Sequence, residues 1–310
     1  MIQVLFCAPA ADWGQYETPL RRALDETGLA YTLSPQCADP QNVDYLVYAP
    51  GGPIKDFTPY SQAKAVLSLW AGVERIVGND TLTMPLARMV DSGLSEGMRE
   101  WVMGHVLRHH LGMDRHILGQ NGQWQAEVPP LARNRTIGIL GLGALGQTCA
   151  AALAALNFNV LGWSRSQKTI ADITCYSGDD GLNEVLTRTE ILVLLLPQTA
   201  QTRHIMNAEM LAKLPRDAVI INPGRGPLID DAALLAALNN GHIAHATLDV
   251  FEVEPLPADH PYWAQPGVTV TPHIASQTRP DTASEMIAQN IRRCEDGAPL
   301  LHQVDRKAGY

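Results

Sequence analysis

A glycine-rich run, Gly141-Leu142-Gly143-Ala144-Leu145-Gly146, constrains the fold of this chain more than any other segment. It comes directly after Thr136–Leu140, a short apolar run that predicts a buried strand. An alanine-rich stretch, Ala150–Leu156, follows it and predicts a helix. Strand, tight turn and helix in this order are the context in which a GxGxxG sequence binds a dinucleotide.

Each part of the run has a physical role in that interpretation. Gly141 permits the turn, Gly143 lets a pyrophosphate approach the backbone, and Gly146 lets the helix pack close to the sheet. Ala144 and Leu145 of the same run are also predicted to contact the cofactor, and the amino end of the helix that follows offers free N–H groups and a positive dipole end to the phosphates. The alternative is a glycine-rich turn that binds nothing.

The residues after the next predicted strand, Asn159–Trp163, indicate which dinucleotide is bound. An NAD site usually carries an acidic residue there, on the ribose 2′-hydroxyl. This chain has Ser164, Arg165, Ser166 and, two residues on, Lys168. A hydroxyl beside a guanidinium binds a 2′-phosphate through charge-assisted hydrogen bonds. The sequence therefore predicts NADP (NADPH) as the cofactor, with NAD as the weaker alternative.

Length, charge and cysteine content limit the remaining possibilities. A chain of 310 residues is long enough for two domains. A net charge of -9 without a basic block argues against nucleic acid or an anionic membrane as a partner. Five scattered cysteines without metal-ligand spacing fit a cytoplasmic protein and predict no metal. The amino-terminal residues predict a strand rather than a signal peptide, and no apolar run reaches membrane-spanning length.

Strand and helix patterns alternate along the chain, which predicts parallel α/β sheets. About 135 residues precede the glycine-rich run, enough for a separate domain. The predicted strands are Ile2–Ala8, Asp44–Ala49, Ala65–Trp70, Glu190–Leu196, Ala218–Asn222, His245–Val250 and Val268–Thr271. The predicted helices are Gln15–Glu26, Leu94–Leu118, Asp231–Asn239 and Thr282–Glu295, and Gly119–Asn134 is predicted to be a connecting arm.

Three later segments each place polar groups just past a predicted strand, where open α/β sheets bind ligands. They contain Arg225, Glu254 and His273. Arg225 can hold a substrate carboxylate and polarise a carbonyl oxygen through its planar fork. His273 can donate a proton to a developing alkoxide, and Glu254 beside it would stabilise the imidazolium. Taken singly, each residue could be structural; together they suit hydride transfer to a 2-keto acid.

These motifs, with Pro197–Thr202 and Thr271-Pro272-His273, resemble the D-isomer-specific 2-hydroxyacid dehydrogenase family over essentially the whole chain. The branch that the chain resembles most is that of glyoxylate/hydroxypyruvate reductase A. The resemblance implies two doubly wound parallel-sheet α/β domains, with a Rossmann cofactor domain, 98–279, inserted into a flavodoxin-like substrate domain, 1–97 and 280–310. It also implies a homodimer formed largely through the cofactor domain.

The resemblance also implies roles for individual residues. Arg225, Glu254 and His273 match the catalytic residues, and Arg225 and His273 would also contact the substrate. The remaining substrate contacts would be Tyr48, Ala71 and Gly72, where Tyr48 stands in place of an expected tryptophan. Besides the glycine-rich run and the segment after Trp163, the cofactor contacts would include Leu196, Pro197, Thr202, Pro223, Gly224, Asp249 and His273.

The activity expected from these motifs is NADPH-dependent reduction of glyoxylate to glycolate and of hydroxypyruvate to D-glycerate. Two alternatives stay open. One is a dehydrogenase of the same fold for another 2-keto acid, such as pyruvate or phenylpyruvate. The other is a non-catalytic NAD(H)-sensing binding protein, although the chain has no long disordered tail of the kind such proteins tend to carry.

Overall fold

Two compact units, each built on a parallel β-sheet, make up the computed structural model, which describes residues 1–124 and 126–310. The first unit comprises Met1–Leu94 and Thr278–Tyr310, and the second comprises Ser95–Gln277. The strands of the described residues are β1 (Ile2–Cys7), β2 (Tyr31–Ser34), β3 (Tyr45–Tyr48), β4 (Ala65–Ser68), β5 (Leu86–Ala87), β6 (Thr136–Leu140), β7 (Asn159–Trp163), β8 (Thr174–Tyr176), β9 (Ile191–Leu194), β10 (Ala218–Asn222), β11 (Ile243–Leu248) and β12 (Val268–Val270).

The helices of the described residues alternate with these strands. They are α1 (Trp13–Glu26), α2 (Ser92–His110), α3 (Met113–Ile117), α4 (Ala144–Ala155), α5 (Gly178–Arg188), α6 (Ala208–Lys213), α7 (Asp231–Asn239) and α8 (Pro280–Glu295). In the first unit α1 and α8 pack against each other. Tyr16, Leu20 and Leu24 of α1 recur every four residues and are buried, so one stripe of the helix faces the core.

The two sheets have different strand orders. The first sheet runs β2-β1-β3-β4-β5, which is the flavodoxin-like order 2-1-3-4-5. The second runs β8-β7-β6-β9-β10-β11-β12; numbered within the unit this is 3-2-1-4-5-6-7, the Rossmann order with one strand added. All strand pairs within both sheets are parallel. The predicted fold class is confirmed.

Central strands of both sheets are short. They are also largely apolar, as expected for parallel sheets that helices cover on both faces. Every residue of β3 and of β9 is buried. The core of the second unit comprises two large clusters of buried side chains, and one of them includes Val102 and Val106 of α2. This packing fixes the positions of the strand ends at the carboxyl edge. The loops that follow these strands therefore begin at defined positions.

Two predicted helices differ from the observed ones by more than two residues at an end. The helix predicted over Leu94–Leu118 is two helices, α2 and α3, because Gly112 adopts a left-handed backbone with φ +61° that interrupts the hydrogen-bond ladder. Helix α4 begins at Ala144, directly after the glycine turn, rather than at Ala150. Of the predicted arm Gly119–Asn134, residue 125 lies outside the described residues.

Candidate active site

The glycine-rich turn lies where the strand order of the second sheet reverses, between β6 and β9. Gly141 has φ +110°, and a Cβ there would stand 2.5 Å from the Leu195 carbonyl oxygen, which follows β9. A Cβ on Gly146 would stand 1.8 Å from the Gly141 carbonyl oxygen. Both positions therefore require glycine for the packing of the turn itself.

Gly143 is different because a Cβ at this position would meet no atom within 4 Å. The residue precedes α4 as its N-cap, with an extended backbone that other residues can adopt. The first-turn N–H groups of α4 lack intrahelical partners and form the positive end of the helix dipole. Open space beside these donors is the property that a pyrophosphate needs, so the residues present fit a dinucleotide.

The segment after β7 forms a compact turn with its charged residues outward. Ser164 is buried, and its hydroxyl donates to the Ser166 carbonyl at 2.8 Å. Arg165 and Ser166 are exposed, and Lys168 is half-buried. The Ser164 hydroxyl thus closes the turn, and Arg165, Ser166 and Lys168 supply its more accessible polar groups.

Gln167, to which the sequence analysis gave no role, ties this turn to β8. Its amide nitrogen donates to the carbonyls of Lys168 at 3.1 Å and Cys175 at 3.0 Å. Its amide oxygen accepts from the Ser177 hydroxyl at 3.0 Å. The turn that carries the predicted 2′-phosphate residues is therefore tied to β8 and to Ser177, which follows β8.

Leu196, Pro197 and Thr202 belong to a loop after β9 that is closed by hydrogen bonds within itself. The Thr202 hydroxyl donates to the Pro197 carbonyl at 2.7 Å and accepts from the Thr199 N–H at 2.8 Å. Leu196 is buried at the start of the loop. The side chain of Thr202 shapes the loop, and the backbone of the loop lies beside the glycine turn through Leu195 and Gly141.

Arg225 lies in the loop after β10, and a buried asparagine holds that loop. The Asn222 side chain is 1% exposed; its amide donates to the Arg225 carbonyl at 3.0 Å and accepts from the Gly224 N–H at 3.1 Å. The Arg225 guanidinium donates to the Gly224 carbonyl at 2.7 Å. A Cβ on Gly226 would lie 2.0 Å from the Phe251 carbonyl carbon, so the Arg225 loop packs directly against the loop after β11.

Glu254 and His273 are in direct contact although 19 residues separate them in sequence. His273 Nδ1 lies 2.8 Å from one oxygen of Glu254, whose other oxygen accepts from the Phe251 N–H at 2.9 Å. Because a carboxylate only accepts, Nδ1 carries the proton of this pair, and the other ring nitrogen points away from Glu254. The side chain of His273 is 49% exposed, so that nitrogen can meet a ligand.

Asp249, predicted to contact the cofactor, is 1% exposed and binds the loop that carries His273. Its carboxylate accepts from the Thr271 hydroxyl at 2.5 Å and from the N–H groups of Ile274 at 2.9 Å and Ala275 at 2.8 Å. Sequence reasoning gave Thr271 no role of its own. The signal in the sequence that could have indicated a role for Thr271 is that it directly precedes Pro272 and His273.

The three predicted substrate residues of the first unit lie at the carboxyl ends of two strands: Tyr48 is the last residue of β3, and Ala71 and Gly72 follow β4. Tyr48 is buried, and its burial raises the pKa of its hydroxyl, with a smaller contribution from Cys7. Ala71 and Gly72 follow Trp70, whose backbone N–H donates to the Ser68 hydroxyl at 3.1 Å. These residues belong to a different compact unit from Arg225, Glu254 and His273.

Histidines of α2 and β11 form a half-buried pair outside these loops. The rings of His109 and His245 lie 4.9 Å apart, and their Nε2 atoms bond the hydroxyls of Thr247 at 2.9 Å and Thr269 at 2.8 Å. Burial lowers the pKa of His109 to about 3 and that of His245 to about 4. Both are neutral near pH 7 and contribute packing and hydrogen bonds.

Residues 1–124 and 126–310 contain no group of three or more histidine, cysteine, aspartate or glutamate side chains arranged to hold a metal ion. Within the same residues, every helix is too short or too polar to span a bilayer.

Residues 101–275 match the family model "D-isomer specific 2-hydroxyacid dehydrogenase, NAD binding domain". This match covers more than half of the chain, and the chain belongs to that family. Glyoxylate/hydroxypyruvate reductase A of Yersinia enterocolitica is 41% identical over 281 residues, which cover 88% of this chain and 89% of the relative. The homologue of the same name from Photorhabdus laumondii is 34% identical, with full coverage of both chains.

Solved structures lead to the same family. A D-isomer specific 2-hydroxyacid dehydrogenase from Xanthobacter autotrophicus, in complex with NADPH and MES, has a TM-score of 0.92 and 41% identity over 99% of both chains. An NADPH-dependent glyoxylate/hydroxypyruvate reductase from Sinorhizobium meliloti, in complex with NADP and sulfate, has a TM-score of 0.88 and 36% identity over 100% of both chains. The predicted family and branch are confirmed.

Proposed function

We propose that the chain is an NADPH-dependent reductase of small 2-keto acids, with glyoxylate and hydroxypyruvate as the preferred substrates. The observation that carries the proposal is the pair of Glu254 and His273, which fixes one ring nitrogen of an exposed histidine and leaves the other for a ligand. The relatives described above bear the names of enzymes with this activity.

The second unit would bind the cofactor at the carboxyl edge of its sheet. The glycine turn, with Ala144 and Leu145, would receive the pyrophosphate, and the turn after β7 would receive the 2′-phosphate. The remaining contacts would come from Leu196, Pro197, Thr202, Pro223, Gly224, Asp249 and His273. When bound, a reduced nicotinamide supplies a hydride to the keto carbon. Two solved relatives are complexes with NADPH or NADP, which supports this cofactor over NADH.

The substrate would be held by its carboxylate. The Arg225 guanidinium presents a planar fork that can bind a carboxylate and polarise the adjacent carbonyl oxygen. Asn222 and Gly226 fix the backbone on either side of this arginine. In the first unit Tyr48, Ala71 and Gly72 would contact the substrate, the latter two through backbone N–H groups.

His273 would supply the proton that completes the reduction. In the reductive direction the imidazolium gives its Nε2 proton to the carbonyl oxygen of the substrate as the carbon is reduced, which yields the 2-hydroxy acid. The ring then remains neutral with Nδ1–H donating to Glu254. The carboxylate thus keeps the ring in one orientation and in the correct tautomer throughout.

We further propose a homodimer in the cytoplasm. Exposed apolar side chains cluster along the segment from α3 to Leu131: Leu118 is 79% exposed, Trp124 is 96% exposed and Val128 is 89% exposed. Several exposed large apolar side chains within one segment support a protein–protein surface there. The five cysteines of the described residues are free thiols, which supports a reducing compartment. Light scattering coupled to gel filtration measures the assembly directly.

A kinetic panel tests the activity. Glyoxylate, hydroxypyruvate, pyruvate and phenylpyruvate are each assayed with NADPH and with NADH, and with a His273→Gln variant as control. We expect the highest kcat/KM for glyoxylate or hydroxypyruvate with NADPH, and a loss of orders of magnitude in the variant. Tight binding of NADPH without turnover of any keto acid would instead indicate a sensing protein, and a preference for pyruvate or phenylpyruvate would reassign the substrate.

A further inference from the structure

His273 is held in an unusual backbone conformation by the loop around it. Its φ is +54°, a left-handed value that a non-glycine residue adopts only when its surroundings enforce it. Its N–H donates to the Asp249 carbonyl at 2.8 Å and to the Thr271 carbonyl at 3.0 Å. The orientation of the imidazole therefore depends on how Asp249 and Thr271 fix the loop.

The Asp249 carboxylate is used by that loop on both oxygens. Oδ1 accepts from the Thr271 hydroxyl at 2.5 Å and from the Ile274 N–H at 2.9 Å, and Oδ2 accepts from the Ala275 N–H at 2.8 Å. These donors flank His273 on both sides in sequence. Asp249 is 1% exposed, so water does not replace a lost partner at low cost.

Thr271 supplies the side-chain hydrogen bond of this set. Its contact is short, as expected for a hydroxyl that donates to a carboxylate. The hydroxyl fixes the rotation of the carboxylate about its last torsion, which is otherwise soft. That rotation decides whether both oxygens meet the N–H groups of Ile274 and Ala275.

We propose that Thr271 is a positioning residue for His273: its hydroxyl orients the Asp249 carboxylate, which in turn holds the His273 loop. This inference rests on the proposed function, since it gives His273 its catalytic role.

The test compares three variants of the full-length protein. Thr271→Val keeps the shape of the side chain and removes the hydroxyl, whereas Thr271→Ser keeps the hydroxyl. Thr189→Val is the control for loss of a threonine hydroxyl elsewhere in the second unit, because the buried Thr189 hydroxyl donates to the Val185 carbonyl at 2.7 Å. Readouts are hydrogen exchange of the peptide that contains residues 274 and 275, the NADPH dissociation constant from fluorescence, and kcat with glyoxylate.

For Thr271→Val we expect exchange at residues 274 and 275 to accelerate about fivefold, the effect of losing roughly one hydrogen bond. We expect kcat to fall about tenfold or more as the ring loses its alignment, with the NADPH dissociation constant unchanged within about twofold. Thr271→Ser should restore both values, and Thr189→Val should change neither.

Three results would overturn the inference. They are unchanged exchange and kcat in Thr271→Val, an equal loss in Thr189→Val, and a loss of NADPH affinity in proportion to kcat. The exchange readout needs no substrate. If the wild-type protein reduces no keto acid, the proposed function fails, while the exchange data still decide whether Thr271 holds the loop.

Discussion

Gly143→Ala is the sharpest perturbation for the cofactor site, because it adds one methyl group where the protein itself has room. A Cβ at this position meets no atom within 4 Å, whereas a Cβ on Gly146 would stand 1.8 Å from the Gly141 carbonyl oxygen. The two substitutions are chemically identical and lie three residues apart. They separate a glycine that leaves space for a ligand from a glycine that the packing requires.

The expected magnitudes follow from these two environments. At the N-cap, alanine is less favourable than glycine by about 0.5–1 kcal/mol, and the reduced entropy of the unfolded chain offsets about 0.4–1 kcal/mol of that. Gly143→Ala should therefore leave Tm within about 2–4 °C of wild type. Against a bound pyrophosphate the methyl overpacks the site, at a cost of about 1–3 kcal/mol, or about 5- to 150-fold in the NADPH dissociation constant.

Gly146→Ala should show the opposite pattern. The neighbouring atoms are backbone and cannot rotate away, so the variant should lose about 1–3 kcal/mol of stability and about 3–10 °C in Tm. Differential scanning fluorimetry measures Tm, and quenching of intrinsic fluorescence measures NADPH binding. The reasoning is refuted if Gly143→Ala binds NADPH with wild-type affinity, or if it unfolds as readily as Gly146→Ala.

Three further predictions concern the substrate, the cofactor preference and pH. Arg225→Ala should lose about 3–5 kcal/mol of transition-state stabilisation, with Arg225→Lys intermediate because it keeps the charge without the fork; near-normal kcat/KM on glyoxylate would reject the role. Ser164→Asp with Arg165→Ala should turn the preference from NADPH toward NADH, and an unchanged ratio of the two kcat/KM values would place the 2′-phosphate elsewhere. Burial holds the pKa of His109 (about 3) and His245 (about 4) below the ordinary 6.5, so the unfolded chain binds more protons as the pH falls. Each histidine should lower stability by about 2 kcal/mol at pH 5, so stability should be full well above pH 6.5 and should decline by about 4 kcal/mol in total by pH 5. Urea titrations should find this pH slope flattened in a double glutamine variant, and equal slopes in the two proteins would disprove the assignment.

The sequence by itself determined the fold class. It also identified the strands that are followed directly by polar residues. Thr136–Leu140 and Ala218–Asn222 are predicted and observed with the same bounds, because a short apolar run between turn residues has few alternatives in an α/β sheet. Since parallel strands end at a common edge, the segments with Arg225, Glu254 and His273 could be assigned to one edge without coordinates. The elements not predicted, such as β5 and α6, are too short for a periodic pattern.

Only the tertiary structure decided how these segments meet. It gave the 2.8 Å contact between Glu254 and His273, the packing of Gly226 on Phe251, and the use of Asp249 by the His273 loop. Each depends on the conformation of a loop, such as the left-handed backbone of His273, and on hydrogen bonds between residues far apart in sequence. Periodicity reports which face of an element is buried; it carries no information on the dihedral angles of the loop that follows, and those angles set distances at the scale of a hydrogen bond.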